Sequence, residues 1–260
     1  MMRAYRSEWL KMWRPAMLLG GAGPMIGFAV LAIVLMLRRL DNGRGGPDGL
    51  TTAALSTSGG FALLMTITVT FVGVIALAVC AVAVGQEYSH GTWRNLLVRQ
   101  PHRLQLLAGK GLALATFIAI AALLADAAAL AAAALLAPSH GVSTTAWFSS
   151  AGTQSLLSNG GNMILSTLAW GAVGAVLAVV LRSTAAAIAG GLAYALVAER
   201  LLVSVWPEGQ TWLPGQVIDA IARGGNVSIT YSSALLLLGL YLVVALAIAG
   251  ALFWRRDVAA

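Results

Sequence analysis

Charge is what this sequence has least of. Only 10% of its 260 residues are Asp, Glu, Lys or Arg, where a soluble domain carries about 25%. There is one cysteine, Cys80, and there are three histidines. A single thiol closes no intrachain disulfide, and Cys80 has no neighbour at metal-ligand spacing, so it reads as a small apolar packing residue. His90, His102 and His140 do not pair with carboxylates at ligand spacing, and neither H-E-x-x-H nor G-x-S-x-G occurs. Zinc and serine-nucleophile chemistry therefore have no cluster to rest on. A P-loop is missing as well. Around "AGKG" at 108–111, Leu104 stands where the first Gly of G-x-x-x-x-G-K-[ST] belongs and Gly111 replaces Ser/Thr. The chain itself is not expected to hydrolyse ATP, and Lys110 reads as a helix-end cation.

What the sequence has in quantity is apolar length. It is 59% hydrophobic, with a mean hydropathy of +0.85. A membrane span needs about 20 predominantly apolar residues, and the charge gaps mark where they lie. No charge occurs over 15–37, 49–86, 127–181 or 224–254. The fold expected is all-α: a polytopic membrane protein of six helices, at about 16–37, 62–85, 108–136, 161–181, 184–204 and 233–254. All of them belong to a single transmembrane domain spanning 1–260. The fourth and fifth are joined by "LRST", a tight turn at Arg182. A secretory signal peptide is not expected, because the run at 16–37 is too long for an h-region and lacks an obvious cleavage site.

Lys and Arg in short loops set orientation. Arg3, Arg6, Lys11, Arg14, Arg94, Arg99, Arg103, Lys110, Arg182, Arg255 and Arg256 fall on one side. Arg38, Arg39, Arg44, Arg200 and Arg223 fall on the other. Both termini are therefore expected in the cytoplasm. The net charge of +7 is mostly this asymmetry, and no exposed basic stripe calls for nucleic acid.

The first residues, "MMRAYRSEWLKMWRPAM", have a helical period of their own. Tyr5, Trp9, Met12, Trp13 and Ala16 share a face, and Arg3, Arg6 and Arg14 lie elsewhere. Such a helix is suited to the membrane interface, and Pro15 permits a bend into the first span. It is either a plain anchor or a lever on the first span.

The densest polar stretch is "GQEYSHGTWRNLLVRQPHRLQLLAGK", 85–110. Thr92 is placed to cap a short helix. Trp93, Leu96 and Leu97 then share a face, Arg94 and Arg99 point elsewhere, and Pro101 ends the element. A Trp flanked by Arg suits a protein-interface anchor and equally a loop helix resting on lipid headgroups.

The pattern E-Y-x-H-G-T-W-R-x-L-L-x-R-x-P-x-R over 87–103, continuing to Lys110, resembles the first cytoplasmic loop of ABC-2 type transporter permeases. So does R-S-E-W-L-K-x-W-R at 6–14. The resemblance implies a bacterial inner-membrane exporter subunit, multi-pass, with 86–107 as the coupling loop. Glu87, Thr92, Trp93, Arg94, Leu96, Leu97 and Arg99 would dock a separate ABC ATP-binding subunit, in two copies. A second permease chain, identical or different, would complete the transporter. ATP and Mg would be bound by the partner ATPase and no cofactor by this chain.

Asp126, in "ALLADAAAL", is the one acid deep in a span. Such a group is a functional candidate by default, the alternative being a packing role with a polar group on a neighbouring helix. Gly23 and Gly27 form a G-x-x-x-G for a neighbouring helix or a second copy. The segment 205–232 is expected outside the membrane as short helices. Trp206, Trp212 and Ile218 are candidates for an exit gate by resemblance, and an interfacial aromatic belt explains them equally. Val217, Ile218 and Ile221 form its apolar face, with Asp219 and Arg223 turned outward. Glu199 and Arg200, at the end of span five, do not face each other, so each needs another partner or water. The loop 138–160 offers no chemistry.

Two other classes compete. A secondary transporter or channel using Asp126 would call for internal repeats or several intramembrane charges. An intramembrane enzyme would need a catalytic cluster. The cargo best suited to a neutral, aromatic-belted interior is hydrophobic or amphipathic: a lipid, a peptide antibiotic or a drug.

Overall fold

The computed structural model describes residues 2–41, 50–89, 91 and 103–255. Among these residues there is no strand, and six helices are long and apolar enough to cross a membrane.

The chain opens with α1 (Met2–Met12). A turn at Pro15–Met17 follows, with Pro15 at its start, where the missing N–H costs nothing. A π turn, Leu18–Ala22, then leads into α2 (Gly23–Asp41). Thr51 caps a one-turn helix, Thr52–Leu55, by accepting from the Ala54 N–H at 3.1 Å. Next come α3 (Gly60–Ser89), α4 (Arg103–Leu136) and α5 (Ser150–Leu181). The fifth span has two parts, α6 (Thr184–Ala193) and α7 (Glu199–Val205), joined by a π turn at Tyr194–Ala198. The short helix α8 (Pro214–Ala222) precedes the last span, α9 (Tyr231–Arg255).

The bundle is organised on α3 and α5, whose backbones meet through glycine. A Cβ on Gly174 would stand 2.0 Å from the Leu77 carbonyl oxygen, and one on Gly73 2.3 Å from Trp170 Cδ1. Small residues permit this approach where lipid supplies no hydrophobic drive between helices. The outer helices are less enclosed, α9 least of all. The G-x-x-x-G of Gly23 and Gly27 packs against no neighbouring helix among the described residues: a Cβ at Gly27 would meet nothing within 4 Å, and one at Gly23 only the Leu18 carbonyl oxygen. Cys80 is buried, 3.1 Å from where a Gly171 Cβ would lie.

One expectation from the sequence needs correcting. The helix that carries the fourth span does not begin near 161; α5 starts at Ser150. Hydropathy fades across "SAGTQSLLSNGG", but the Ser149 hydroxyl accepts from the Gly152 N–H at 3.1 Å and starts the helix there. The connection before it, 138–149, is anchored by Trp147. This side chain is fully buried and its indole N–H donates to the Leu55 carbonyl at 2.8 Å. Within the fifth span a π turn interrupts the helix just before Glu199. The turn between α5 and α6 falls where the sequence placed it. Arg182 takes φ 54°, and Ser183 caps α6 through the Ala186 N–H.

Candidate functional site

The site is built where α1 lies against the beginning of α4. The buried stripe of α1 is Ala4, Glu8 and Met12, at i, i+4 and i+8. It neighbours the aromatic face that the sequence singled out, where Tyr5 and Trp9 stack at 6.1 Å and Trp13 stays exposed. Gly109 makes this approach possible, since a Cβ there would stand 2.7 Å from Ala4 Cβ. One residue on, Lys110 is thereby aimed at Glu8.

Lys110 is the centre of the cluster. Its Nζ donates to Glu8 Oε2 at 2.8 Å and to Glu87 Oε1 at 2.7 Å. Lys11 donates to Glu8 Oε1 and, at 3.5 Å, to Glu87 Oε1. Glu8, Glu87 and Lys110 are buried, while Lys11 reaches the edge. Burial raises the pKa of Glu8, but the charge of Lys110 and the hydrogen bonds from Lys11 and Lys110 outweigh it and hold the carboxyl below its ordinary value. Burial likewise disfavours the Lys11 ammonium, and the two glutamates more than offset it, raising its pKa. Two acids and two bases thus neutralise one another and tie three helix ends: α1, the end of α3 and the start of α4.

A cavity of about 550 Å³ adjoins the cluster. Its walls are apolar, from Gly20 and Gly21 at the π turn, Val79 on α3 and Leu192 on α6. Its charged rim is made by Arg14 with the cluster residues.

The far end of the bundle holds a third buried acid. Glu199 Oε1 accepts from the backbone N–H groups of Gly215 at 2.8 Å and Gln216 at 3.0 Å, and Tyr194 also bonds to it. These are orphan donors of the first turn of α8, so the carboxylate caps that helix and meets the positive end of its dipole. Gly215 is required, because a Cβ there would lie 1.9 Å from Glu199 Oε2. The amphipathic reading of α8 holds. Val217, Ile218 and Ile221 are buried, and Arg223 Nε donates to Asp219 Oδ2 at 2.8 Å.

The residues marked in the sequence are thus distributed over several places. Glu87 is in the charged cluster. Thr92, Trp93, Arg94, Leu96, Leu97 and Arg99 lie outside the described residues. Asp126 lines a separate cavity between α3, α4 and α5. Trp206 and Trp212 are exposed, whereas Ile218 is buried against the bundle. Glu8 was missed. It is a lone acid in a basic leader, and its partner is 102 residues away. The usable signal was a match in number: one acid in the leader, one at the end of span two, one Lys at the start of span three.

Six spanning helices preceded by an ion-paired leader helix define a polytopic membrane protein with a built joint at one end. Residues 5–198 match the family described as ABC-2 family transporter protein. The chain belongs to that family. No curated protein matches it. The matched segment takes in most of α1, the charged cluster and the stretch 86–107, and ends one residue before Glu199.

Proposed function

We propose that this chain is the permease subunit of an ATP-driven exporter in a bacterial cytoplasmic membrane, with both termini in the cytoplasm. It does not hydrolyse ATP. Two copies of a separate ATP-binding subunit dock on the 86–107 loops of two permease chains, and closure of the ATPases drives the spans. The observation that carries this reading is the position of Lys110. The loop leaves α3 just after Glu87 and rejoins the bundle just before Lys110, and these two residues are bonded to each other and to α1. A force applied to the loop therefore reaches three helix ends through one ammonium group. That is the lever to be expected if a docked partner moves the spans as packed units. The 550 Å³ cavity, apolar with a charged rim, favours a hydrophobic or amphipathic cargo.

The test is purification of the chain from its native cells in mild detergent, followed by mass spectrometry. A P-loop ATPase at one copy per permease chain is expected. Trp93→Ala should reduce its recovery about tenfold or more, the loss of an interface anchor of ~2 kcal/mol, and leave the permease monodisperse. Recovery of the chain alone, or undiminished ATPase with Trp93→Ala, would remove the coupling role of the loop.

A further inference from the structure

Asp126 sits on α4 ten residues before Leu136, about 15 Å along the helix from its far end. It faces a cavity of about 180 Å³ lined also by Thr66, Asn159, Arg223, Met65 and Met163. Room for the carboxylate is made by α5, since a Cβ on Gly160 would stand 3.1 Å from Asp126 Oδ2. The cavity reaches the surface of the bundle beside Leu63, which lines it and is 41% exposed.

The polar neighbours direct their donors elsewhere. The Thr66 hydroxyl donates to the Ala62 carbonyl, and the Asn159 amide to the Ser155 carbonyl at 2.7 Å and hydroxyl at 3.2 Å. Arg223 is engaged with Asp219 at 2.8 Å, so its charge is already balanced. Among the described residues, Asp126 accepts no hydrogen bond and makes no ion pair. A carboxylate within a span that no described donor reaches calls for a cation or a proton from elsewhere.

We propose that this cavity binds the primary ammonium group of an amphiphile, with Asp126 as the counter-ion. Several features favour ammonium over a metal ion. A hard cation takes six or more oxygens, and the described residues hold no group of three or more His, Cys, Asp or Glu that could hold a metal ion. An ammonium has three N–H donors. One goes to Asp126, and Thr66 on α3 and Asn159 on α5 line the cavity with oxygens able to accept the others. The cavity takes the headgroup and the first methylenes against Met65 and Met163, and the opening beside Leu63 lets the rest of the chain leave toward lipid. This site goes beyond the permease assignment, because it needs neither the ATPase nor a second chain.

The experiment uses the full-length chain in phosphatidylglycerol nanodiscs with a photoreactive decylamine and its uncharged N-acetyl counterpart. Labelled peptides are mapped by mass spectrometry. The amine should label 62–69 and 159–163 about tenfold more than the amide, the factor that one charge-assisted hydrogen bond confers. Asp126→Asn should bring amine labelling down to the amide level, and Asp126→Glu should retain it. On the wild-type protein, which needs no variant to fold, excess decylamine should abolish labelling and decanol should not. Equal labelling by amine and amide, or equal competition by decanol, would overturn the site and leave Asp126 with a proton alone. Repeating the assay in phosphatidylethanolamine nanodiscs separates two sources of the same chemistry. Suppressed labelling identifies an aminophospholipid headgroup as the occupant, and undiminished labelling a non-lipid amine.

Discussion

The two ends of the bundle hold carboxylates away from water by opposite arrangements. Where α1 meets α4, Glu8 and Glu87 are matched by Lys110 and Lys11, acid for base. Toward the other end, Glu199 is satisfied by the N-terminus of α8, while Asp126 faces a cavity whose polar residues, Thr66, Asn159 and Arg223, bond elsewhere. The contrast separates two meanings of an acid in a greasy helix. A carboxylate whose donors come from the same chain is a joint between elements. A carboxylate without them is open to something the chain does not supply.

The largest effect should follow from breaking the charged joint at its centre. Lys110→Ala leaves Glu8 and Glu87 facing each other with only Lys11, which is partly exposed. Removing one partner of a buried ion pair costs about 3–5 kcal/mol, because the remaining charge is left uncompensated. A marked drop in the thermal midpoint in detergent is expected, with α1 released to proteolysis. Lys11→Ala should cost less than about 1 kcal/mol, as for other solvent-screened pairs. Equal effects for the two lysines would mean that the cluster is held by its rim rather than by Lys110.

The spans were legible in the sequence because lipid imposes one requirement on every residue of a stretch, and charge gaps report it directly. The leader was legible for the same reason, through the period of Tyr5, Trp9 and Trp13. The joint was not. Glu8 and Lys110 are 102 positions apart, and each reads locally as a flanking charge of the kind found beside any span. Only packing shows that Gly109 brings α1 close enough to set Lys110 on Glu8. The start of α5 was hidden for another reason. Its first residues are polar and turn helical through a Ser149 cap, which a reading by hydropathy does not weigh. The acceptor role of Glu199 was out of reach because its partners are backbone N–H groups, which every sequence contains. Asp126 was legible as an oddity, and the cavity before it was not.

A smaller effect should follow from weakening the Glu199 cap. Glu199→Gln keeps one acceptor oxygen toward Gly215 and Gln216 and loses the charge that complements the α8 dipole. A cost of about 1 kcal/mol is expected. Hydrogen exchange is the measurement to make, because the loss should be local: faster exchange at the Gly215 and Gln216 amides, with α3 and α5 unchanged. Exchange that rises throughout the bundle would mean that α8 is part of its core. The contrast with Lys110→Ala would then be one of degree and no longer of kind.

The smallest effect on stability should come from Asp126→Asn, and this result sharpens the comparison most. If the carboxylate has no partner in the protein, its neutralisation removes nothing that holds the fold and relieves the cost of a charge in apolar surroundings. The thermal midpoint without added amine should stay level or rise, by no more than the equivalent of about 1 kcal/mol. The same measurement with decylamine present separates binding from folding. Wild type should gain stability with ligand concentration, as any ligand that binds only the folded state requires, and Asp126→Asn should gain none. A clear fall in the amine-free midpoint would place Asp126 with Glu8 and Glu87, as a joint whose partner lies within the chain, and would end the distinction between the two ends of the bundle.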